Sequence, residues 1–382
     1  MRSVLAALFL GYAITVPTWS VAAETCGASV AAQMEWPTAT PEQAGFDTAL
    51  LCSIDATLDR SPQMKIHAVV VIRRGKLVYE TYRPGDDNEW RSQPRTMAYS
   101  AQVKHDMYSV SKSVVSLLAG IAIDRRHIAS VEEPLFAFYT DSAALQEPRK
   151  VTIRLRHLLT MTSGLAWDEV APYDDDRNDQ FAMIRSVNPY RFVLAKPLQH
   201  EPGARWNYSG GDTQLLGGIV QRTTRKFLAD FAKEALFDPL GITDFQWMKM
   251  PANGEFAADS GLRLRPRDMA KIGQLVLDKG MWNGRRIVSR EWIDEATRTH
   301  VTGFNEDIPS LGYGYQWWTD HGKVGDRDIS WVSAQGHGGQ RLYVVPAFDL
   351  VVAIAAGLYG EESQDWVSFD ILDKFVLAAI RN

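Results

Sequence analysis

Cysteine is scarce in this chain, and long charged runs, internal repeats and low-complexity tracts are missing. Only two cysteines, Cys26 and Cys52, occur among 382 residues. Neither has a histidine close to it in the sequence, which argues against a thiol nucleophile. The formal net charge of -5 is mild for this length. With no basic stripe or acidic run, a nucleic acid or another polyanion is not expected as a partner.

Several catalytic signatures are absent as well. No Gly-x-Ser-x-Gly elbow occurs, which argues against an α/β-hydrolase. No His-Glu-x-x-His or similar ligand spacing occurs, so a zinc hydrolase is not expected. No glycine-rich loop of the phosphate-cradling kind is present. The sequence therefore predicts an activity that needs neither a metal nor an organic cofactor.

The first 23 residues have the pattern of a secretory signal. Arg2 provides a positive start, residues 4–16 are apolar, and small residues precede Glu24, so cleavage is expected after Ala23. The alternative is a membrane anchor, but the apolar run is shorter than the roughly 20 residues of a spanning helix. We therefore predict a periplasmic or secreted protein with no stable membrane insertion after cleavage of residues 1–23.

Both cysteines follow the expected cleavage point, and export would place them where disulfides persist. A bridge between Cys26 and Cys52 would tie the N-terminal segment to the first predicted helix. Two buried free thiols are equally compatible with the sequence. The pattern leaves both possibilities open.

Periodicity divides the chain into three parts. Apolar residues recur at helical spacing over residues 46–58, and two strand-like runs follow at 67–72 and 77–82. Residues 106 to about 299 are mostly helical in pattern. Strand signals then return, and we expect three strands and a closing amphipathic helix at residues 313–318, 339–345, 350–355 and 366–380.

This order predicts an α+β fold in which both ends of the chain share one antiparallel sheet. The mature domain would span 24–382, with its sheet part at about 24–105 and 305–382. The two terminal helices would flank the sheet, and an all-helical insertion at about 106–304 would pack beside it. A cleft between the two parts is where a functional site is expected.

The strongest candidate site is a serine followed one helical turn later by a lysine. Asp106 is expected to cap a helix that runs through Ile121, which places Ser109 and Lys112 on one face. The helix dipole and partial burial would both lower the pKa of the lysine towards that of a usable neutral base. The spacing alone is expected by chance about once in a chain of this length. A solvated lysine on a helix that starts with serine is the alternative.

Two further segments carry candidate polar groups. Tyr208 follows a Pro-Gly turn and precedes a glycine pair, at a loop-to-helix joint. A phenol held there near a lysine ammonium would have a lowered pKa and could relay a proton. A core tyrosine with a satisfied hydroxyl is the alternative. Residues 335–340 begin a strand, where an N–H of Gly339 or Gln340 is a candidate oxyanion donor. His337 would shape the pocket, unless the segment is only a glycine-rich turn before an edge strand.

Taken in order, these segments resemble the serine β-lactamase and penicillin-binding-protein superfamily. The similarity runs through nearly the whole mature chain. It is closest to the class C-like branch, which includes family VIII carboxylesterases, D-aminopeptidases, D,D-peptidases and 6-aminohexanoate-dimer hydrolases. Beyond the three segments, it rests on residues 151–165, 238–242, 261–264 and 312–318. The resemblance implies a β-lactamase/transpeptidase-like fold.

Carried over by position, the resemblance makes Ser109 the nucleophile and Lys112 its base. Tyr208 matches the tyrosine of the family's Tyr-x-Asn element. Residues 337–339 fall where Lys-Thr-Gly or His-Thr-Gly stands in lactamases and peptidases. These positions suffice for a two-step acyl transfer.

Two departures weaken the case for a β-lactamase. Gly210 stands where the family has asparagine, so a side-chain amide that would hold a substrate amide is missing. His337 stands in place of the usual lysine, so a fixed positive charge for a β-lactam carboxylate is missing too. Residues 186–188 (Ser-Val-Asn) are a rival second motif, but they lack the Pro-Gly approach and the glycine pair.

The loop that carries Trp167 and Tyr173 is polar and acidic, and it would line or cover the acyl pocket unless it is simply solvated. We therefore expect an exported serine hydrolase that cleaves a small ester, amide or short peptide. An esterase or amidase ranks before a D,D-peptidase, and a β-lactamase comes last. A non-catalytic penicillin-binding-type receptor would lack the nucleophile or the lysine, yet both are present. The sequence fixes neither the acyl substrate nor the oligomeric state.

Overall fold

The computed structural model describes residue 26 and residues 35–87, 95–173 and 175–381. The signal segment expected over residues 1–23 lies outside these ranges. Within them, none of the helices combines the length and the apolar character that a membrane crossing requires.

Strands and helices alternate along the chain in the order expected for a sheet with a helical insertion. The strands are β1 (Ile66–Arg73), β2 (Lys76–Tyr82), β3 (Gly85–Asp87), β4 (Arg95–Met97), β5 (His105–Asp106), β6 (Gln246–Trp247), β7 (Leu262–Leu264), β8 (Met281–Trp282), β9 (Arg285–Arg286), β10 (Val301–Thr302), β11 (Gly312–Tyr313), β12 (Trp318–Val324), β13 (Arg327–Gly336), β14 (Gln340–Val345) and β15 (Leu350–Ala356). The α-helices are α1 (Thr48–Arg60), α2 (Val110–Asp124), α3 (Leu155–Leu159), α4 (Asp179–Arg185), α5 (Pro189–Leu194), α6 (Gly210–Thr224), α7 (Leu228–Ala232), α8 (Pro266–Leu277), α9 (Arg290–Ala296) and α10 (Val367–Ile371).

The main sheet has the strand order β10-β11-β12-β13-β14-β15-β1-β2, and every neighbouring pair is antiparallel. Strand β1 lies directly beside β15, with Val70 opposite Ala353. The two ends of the chain therefore share one sheet, and the expected α+β fold of the β-lactamase/transpeptidase type is confirmed.

The two faces of the sheet pack against different helices. Val70 and Ile72 of β1 belong to a core that also contains α2, α6 and α8. Val69 and Val71 point to the opposite face, where α1 and the C-terminal helix cover them. Because side chains alternate along a strand, one apolar run serves both cores.

The first helix begins close to its expected position, at Thr48, because the Asp47 side chain accepts a hydrogen bond from the N–H of Leu50. Cys52 on this helix is joined to Cys26 by a disulfide bond. The bridge, rather than the pair of free thiols, is therefore the state of the two cysteines.

The prediction of three strands after the insertion was wrong in two respects. Residues 313–318 are not one strand, since β11 ends at Tyr313 and β12 begins at Trp318. Strands β12 and β13 were missed, because their exposed residues are charged or polar and hide the apolar alternation. The helical insertion also carries the small sheet β5-β7-β6 and the pair β8-β9.

Candidate active site

Ser109 lies where a short strand passes into a helix. Strand β5 pairs with β7, and α2 starts immediately after Ser109, which occupies its N-cap position. Tyr108, which immediately precedes Ser109, has a φ of 45°, in the left-handed region that side chains usually avoid. Such strained backbone collects at functional sites, because it aims a neighbouring side chain where regular structure would not.

The prediction that Asp106 caps this helix was wrong. The Asp106 carboxylate is buried beside the guanidinium of Arg263, at 3.2 Å, and the two residues face each other across β5 and β7. Because pairing with β7 holds this segment extended, the helix cannot begin until Ser109. The nucleophile candidate therefore stands at the helix N-terminus itself.

Lys112 lies one turn further along α2 and contacts Ser109 directly. Its Nζ donates to Ser109 Oγ at 3.0 Å and to the backbone oxygen of Asp259 at 3.1 Å. The side chain is fully buried, and its ammonium lies 3.8 Å from the Asp259 carboxylate. The expected contact between amine and hydroxyl is present in the structure.

The expected direction of the lysine pKa, however, was wrong. Burial alone would lower the pKa of Lys112, but the negative or polar groups of Tyr208, Glu169 and Asp259 outweigh it and raise the pKa above its ordinary value. The sequence offered burial and the helix dipole, whereas the carboxyl groups come from distant segments. Lys112 therefore rests as an ammonium ion at neutral pH.

Tyr208 reaches the same point from the loop before α6. Its ring centroid lies 4.9 Å from Lys112 Nζ, and its ring stacks on Trp318 at 5.8 Å. Burial raises the pKa of the phenol, and hydrogen bonds with Ser109 and Lys112 only partly offset this. The phenol is therefore neutral at rest, contrary to the lowered pKa expected beside an ammonium ion.

Two carboxyl groups complete this polar cluster, which we call the site cluster: Lys112, Tyr208, Glu169 and Asp259. Glu169 Oε2 accepts hydrogen bonds from Trp167 Nε1 and from the N–H of Gly210, both at 2.7 Å. Burial raises the pKa of Glu169, and the nearby Asp259 raises it further, against the opposing effect of Lys112. The sequence interpretation included Glu169 only as part of an acidic loop and did not include Asp259.

Gly210 owes its identity to the same two carboxyl groups. A Cβ at this position would lie 2.8 Å from Asp259 Oδ2 and 3.2 Å from Glu169 Oε2. Any side chain here, including the asparagine of the Tyr-x-Asn element, would displace one of them. The departure from the family pattern is therefore coupled to a change in what surrounds the lysine.

A cavity of about 570 Å³ opens beside Ser109. This volume suits a small organic ligand, since such sites occupy roughly 300–1,000 Å³. The described residues that line the cavity include neither a lysine nor an arginine. They are Tyr108, Ser109, Val170, Pro172, Tyr173, Gln180, Phe181, Ser260, His337 and Gly360.

Among the candidates expected to bind substrate, His337 and Tyr173 line this cavity. Their rings meet at 5.2 Å, edge to face. The Tyr173 hydroxyl donates to Glu169 Oε1 at 3.4 Å, which joins the loop to the site cluster. Trp167 lies behind the wall, where it is buried and its indole N–H holds Glu169 in place.

Gly339 and Gln340, the expected oxyanion donors, are not among the lining residues. The Gln340 side chain is fully buried and exchanges hydrogen bonds with the backbone N–H and oxygen of Ala356. The oxygen of Gly339 accepts from the Ser368 hydroxyl at 2.7 Å. Both residues therefore tie the start of β14 to its neighbours, two and three positions after His337, which lines the cavity.

The end of β13 approaches the nucleophile more closely. A Cβ at Gly336 would lie 2.3 Å from the backbone oxygen of Met107, so the two segments meet without a side chain between them. His337 follows Gly336 and lies on the cavity wall. His337, which links β13 to β14, is therefore the residue of this segment that lines the cavity with Ser109.

The rival motif at residues 186–188 lies in a different setting. Asn188 caps α5, and its side chain accepts from the N–H of Arg191 at 2.9 Å. Val187 is 87% exposed. This segment is a surface turn between α4 and α5, and Tyr208 is the residue that meets Lys112.

The fold and this arrangement define a class, the serine hydrolases with a β-lactamase-type architecture. The family model described as "Beta-lactamase" matches residues 54–365. The chain therefore belongs to the beta-lactamase family, as the resemblance indicated, and it is a serine hydrolase.

This chain is similar in sequence or in fold to several proteins, over between 38% and 86% of its length in the following three cases. The 6-aminohexanoate-dimer hydrolase of Paenarthrobacter ureafaciens is 24% identical over 336 residues, which is 82% of this chain and 80% of that protein. The lovastatin esterase of Penicillium rubens is 31% identical over 148 residues, which is 38% of this chain and only 36% of that protein. A D-stereospecific amidohydrolase from Streptomyces sp. has the same fold, with a TM-score of 0.62 and 16% identity, covering 86% of this chain and 98% of that one.

Proposed function

We propose that this chain is an exported hydrolase that cleaves an ester or an amide through an acyl-enzyme on Ser109. The observation that carries the proposal is the contact of 3.0 Å between Lys112 Nζ and Ser109 Oγ, beside a ligand-sized cavity. Tyr208 completes the catalytic set, because its phenol is hydrogen-bonded to both Ser109 and Lys112. A hydroxyl next to two proton-transfer groups is the arrangement that nucleophilic acyl transfer needs.

The reaction would proceed in two balanced steps. Ser109 Oγ attacks the carbonyl carbon, and its proton passes to the Lys112–Tyr208 pair in the fraction of molecules where that pair has lost one proton. The ester C–O or amide C–N bond then breaks, and the pair returns the proton to the leaving group. Water attacks the acyl-enzyme in the same way, releases the acid and restores the Ser109 hydroxyl.

Backbone N–H groups would stabilise the oxyanion. Ser109 contributes the N–H at the start of α2, where the helix dipole favours negative charge. We assign the second donor to the backbone N–H of His337 rather than to Gln340, because His337 lies on the cavity wall at the close approach of β13. Two such donors account for a large share of the rate in acyl-transfer enzymes.

The charge around the cavity determines how we rank the possible substrate classes. The described lining residues carry no lysine or arginine, whereas Glu169 and Asp259 lie immediately behind them. A carboxylate on the substrate, as in a β-lactam or the end of a peptide, would therefore lack a partner and be repelled. Esters and small amides come first, D,D-peptides second and β-lactams third. The receptor alternative is disfavoured because Ser109 and Lys112 are in contact.

Export is supported by two separate features. Residues 1–23 have the composition of a secretory signal, and Cys26 is joined to Cys52 just beyond it. N-terminal sequencing of the protein recovered from the periplasm or medium should begin at Glu24. Recovery of the intact chain from the membrane fraction would contradict cleavage.

The catalytic proposal is tested by burst kinetics. A short-chain p-nitrophenyl ester should release about one equivalent of nitrophenol rapidly if deacylation is slow, and Ser109→Ala should lower turnover by at least about a thousandfold. Ser116→Ala is the matched control, because Ser116 lies buried on the same helix and its hydroxyl has no hydrogen-bond partner among the residues that the structure describes. Full activity in Ser109→Ala would remove the mechanism.

A further inference from the structure

Tyr208 belongs to a continuous group of aromatic side chains at one end of the main sheet. We call this group the aromatic wall: Trp206, Tyr208, Phe304, Tyr313 and Trp318. Trp206 stacks on Phe304, with the two ring centroids 4.1 Å apart. Trp318 stacks on Tyr208 at 5.8 Å and meets Tyr313 edge to face at 5.0 Å. Because Trp206 also meets Trp318 at 5.8 Å, the five rings are joined into one group.

The aromatic wall is assembled from three segments that are far apart in the sequence. Trp206 and Tyr208 lie in the loop before α6. Tyr313 ends β11, Trp318 begins β12, and Phe304 lies on the connection between β10 and β11. Tyr313 is buried, whereas the other four rings are partly exposed, and the two cores on the faces of the sheet consist of other side chains. Core packing therefore does not account for the wall, and a contiguous apolar surface that stays partly exposed is typical of a binding site.

The aromatic wall and the cavity approach the reacting centre through different residues. The cavity is lined by Ser109 itself, and none of its described lining residues belongs to the wall. The wall meets the site cluster through Tyr208, whose ring centroid lies 4.9 Å from Lys112 Nζ. A substrate cleaved at Ser109 has an acyl part and a leaving part, and the site offers a separate environment for each.

The proposed proton transfer decides which part lies against the aromatic wall. The Lys112–Tyr208 pair returns a proton to the leaving oxygen or nitrogen, so that atom must come within hydrogen-bond reach of the pair. The group attached to this atom then lies beside the Tyr208 ring, where Trp318 and Trp206 are the next aromatic neighbours. The cavity beside Ser109 is left for the acyl group.

The chemistry of the aromatic wall favours an uncharged aromatic partner. Aromatic rings attract another ring in offset-stacked or edge-to-face geometry. Burial raises the pKa of Tyr313, and the nearby Tyr208 adds to the effect. The carboxyl groups of Glu169 and Asp212 raise it further. The groups that shift this pKa are neutral or negative, which disfavours an anionic leaving group.

We infer that the aromatic wall is the leaving-group subsite, and that the preferred substrates are those whose alcohol or amine part carries an uncharged aromatic ring. Trp206, Phe304 and Trp318 are then specificity-determining residues for the leaving group. This inference rests on the proposed acyl transfer at Ser109. It adds to that proposal the chemistry of the part of the substrate that departs first.

The inference is tested with two esters that share one acyl group. Benzyl butanoate is compared with 2-methoxyethyl butanoate, because the two alcohols have similar acidity and only one carries an aromatic ring. The wild type should favour the benzyl ester by about tenfold or more in kcat/KM, measured by titration of the released acid. A third ester, 2-methoxyethyl acetate, gives the butanoate-to-acetate ratio, which reports on the acyl side alone.

Phe304→Leu keeps an apolar side chain and removes the ring. It should lower the benzyl-to-methoxyethyl ratio by about threefold or more, and Trp206→Leu should lower it further, since Trp206 contacts four other rings. Phe304→Tyr, which keeps the ring, should retain the ratio within about twofold. The butanoate-to-acetate ratio should stay constant in all three variants, whereas a merely structural role would disturb both ratios.

Phe227→Leu is the matched control. Phe227 is 65% exposed and lies outside the aromatic wall, next to α7, so its replacement should leave both ratios unchanged. The melting temperature of each variant shows whether it is folded. If Trp206→Leu fails to fold, the pair Phe304→Leu and Phe304→Tyr still decides the question.

The outcomes separate this inference from the proposed function. A benzyl-to-methoxyethyl ratio close to one in the wild type, with turnover that depends on Ser109, would overturn the inference alone. A preference that persists in folded Phe304→Leu and Trp206→Leu would also overturn it, as would an equal change in the butanoate-to-acetate ratio. Full hydrolysis of all three esters by Ser109→Ala would instead remove the proposed function, and the inference with it.

Discussion

Two of the buried ionic clusters among the described residues use similar side chains in opposite ways. The first is the site cluster, in which one ammonium ion, Lys112, faces two carboxyl groups and a phenol. The second, which we call the sheet network, joins the N-terminal part of α8 to strand β2, through Glu80, and to Glu35 near the start of the described chain. Its members are Arg265, Arg267 and Lys271, with Glu35, Glu80 and Asp268.

In the sheet network, cations and carboxylates match in number and geometry. Arg267 binds both oxygens of Glu80, at 2.6 and 2.7 Å, and Arg265 binds Asp268 in the same two-pronged way. The carboxyl of Glu35 has a lowered pKa, since contacts with Gln102 and the two arginines outweigh its burial. The pKa of Glu35 is lowered and the pKa values of Arg265 and Arg267 are raised, so all three groups are held in their charged forms.

In the site cluster, the charges do not match. The pKa of Glu169 is raised by burial, and Asp259 adds to the effect, so one carboxyl group is pushed towards its neutral form. The pKa values of Lys112 and Tyr208 are raised as well. Matched pairs hold the fold, whereas an unmatched cluster keeps protons close to the point of transfer, which is what acid-base chemistry requires.

The largest expected effect is loss of activity in Lys112→Ala. Removal of the amine should lower kcat/KM by about 10²–10⁴-fold, because proton transfer from Ser109 loses its partner. Turnover of a p-nitrophenyl ester measures this, with circular dichroism as a check on folding. Lys323→Ala, an exposed lysine, is the control and should retain full activity. An active Lys112→Ala would show that the unmatched cluster is not catalytic.

Arg267→Met should give the reverse result, a loss of stability without loss of chemistry. It leaves the Glu80 carboxylate buried without its two-pronged partner, and breaking such a pair costs about 3–5 kcal/mol of unfolding free energy. Urea denaturation measures the loss, while kcat/KM of the folded protein should stay within about twofold. Arg298→Met breaks an exposed pair with Glu295 and should cost far less. A catalytic defect in folded Arg267→Met would contradict the claim that the sheet network stabilises the fold without taking part in catalysis.

The smallest expected effect is a shift of the pH profile. The proton acceptor must first lose a proton, and the pKa values of Lys112 and Tyr208 are both raised, so kcat/KM should climb with pH through the neutral and alkaline range. Glu169→Gln removes a negative charge that raises both values. The profile should therefore move to lower pH. Exposed Glu306→Gln is the control, and an unmoved or alkaline-shifted profile for Glu169→Gln would contradict this account.

Features that depend on neighbouring residues could be predicted from the sequence. The spacing of Ser109 and Lys112 fixes their contact once α2 forms, and the helix and strands near the N-terminus follow from their apolar periodicity. The position of Tyr208 beside Lys112 came from the motif rather than from periodicity. These parts need no knowledge of distant contacts.

Features that depend on distant contacts could not be predicted. Asp259 meets Gln180 across 79 residues of sequence, and nothing near either residue indicates the other. Asp259, together with Glu169, also leaves no room for a side chain at Gly210, which the sequence shows only as a missing asparagine. Pairing of β5 with β7 moved the helix start from Asp106 to Ser109, and carboxyl groups from two loops reversed the expected pKa of Lys112. In each case tertiary structure overrides a correct local argument.

The most direct test of acylation at Ser109 is peptide mapping by mass spectrometry after rapid acid quenching with a p-nitrophenyl ester. The account predicts the mass of one acyl group on the peptide that contains Ser109, located on that residue and not on its buried neighbours Ser111 and Ser113. The Ser109→Ala protein should carry no acyl group. An unmodified serine during turnover, or an acyl group located on another residue, would contradict the account.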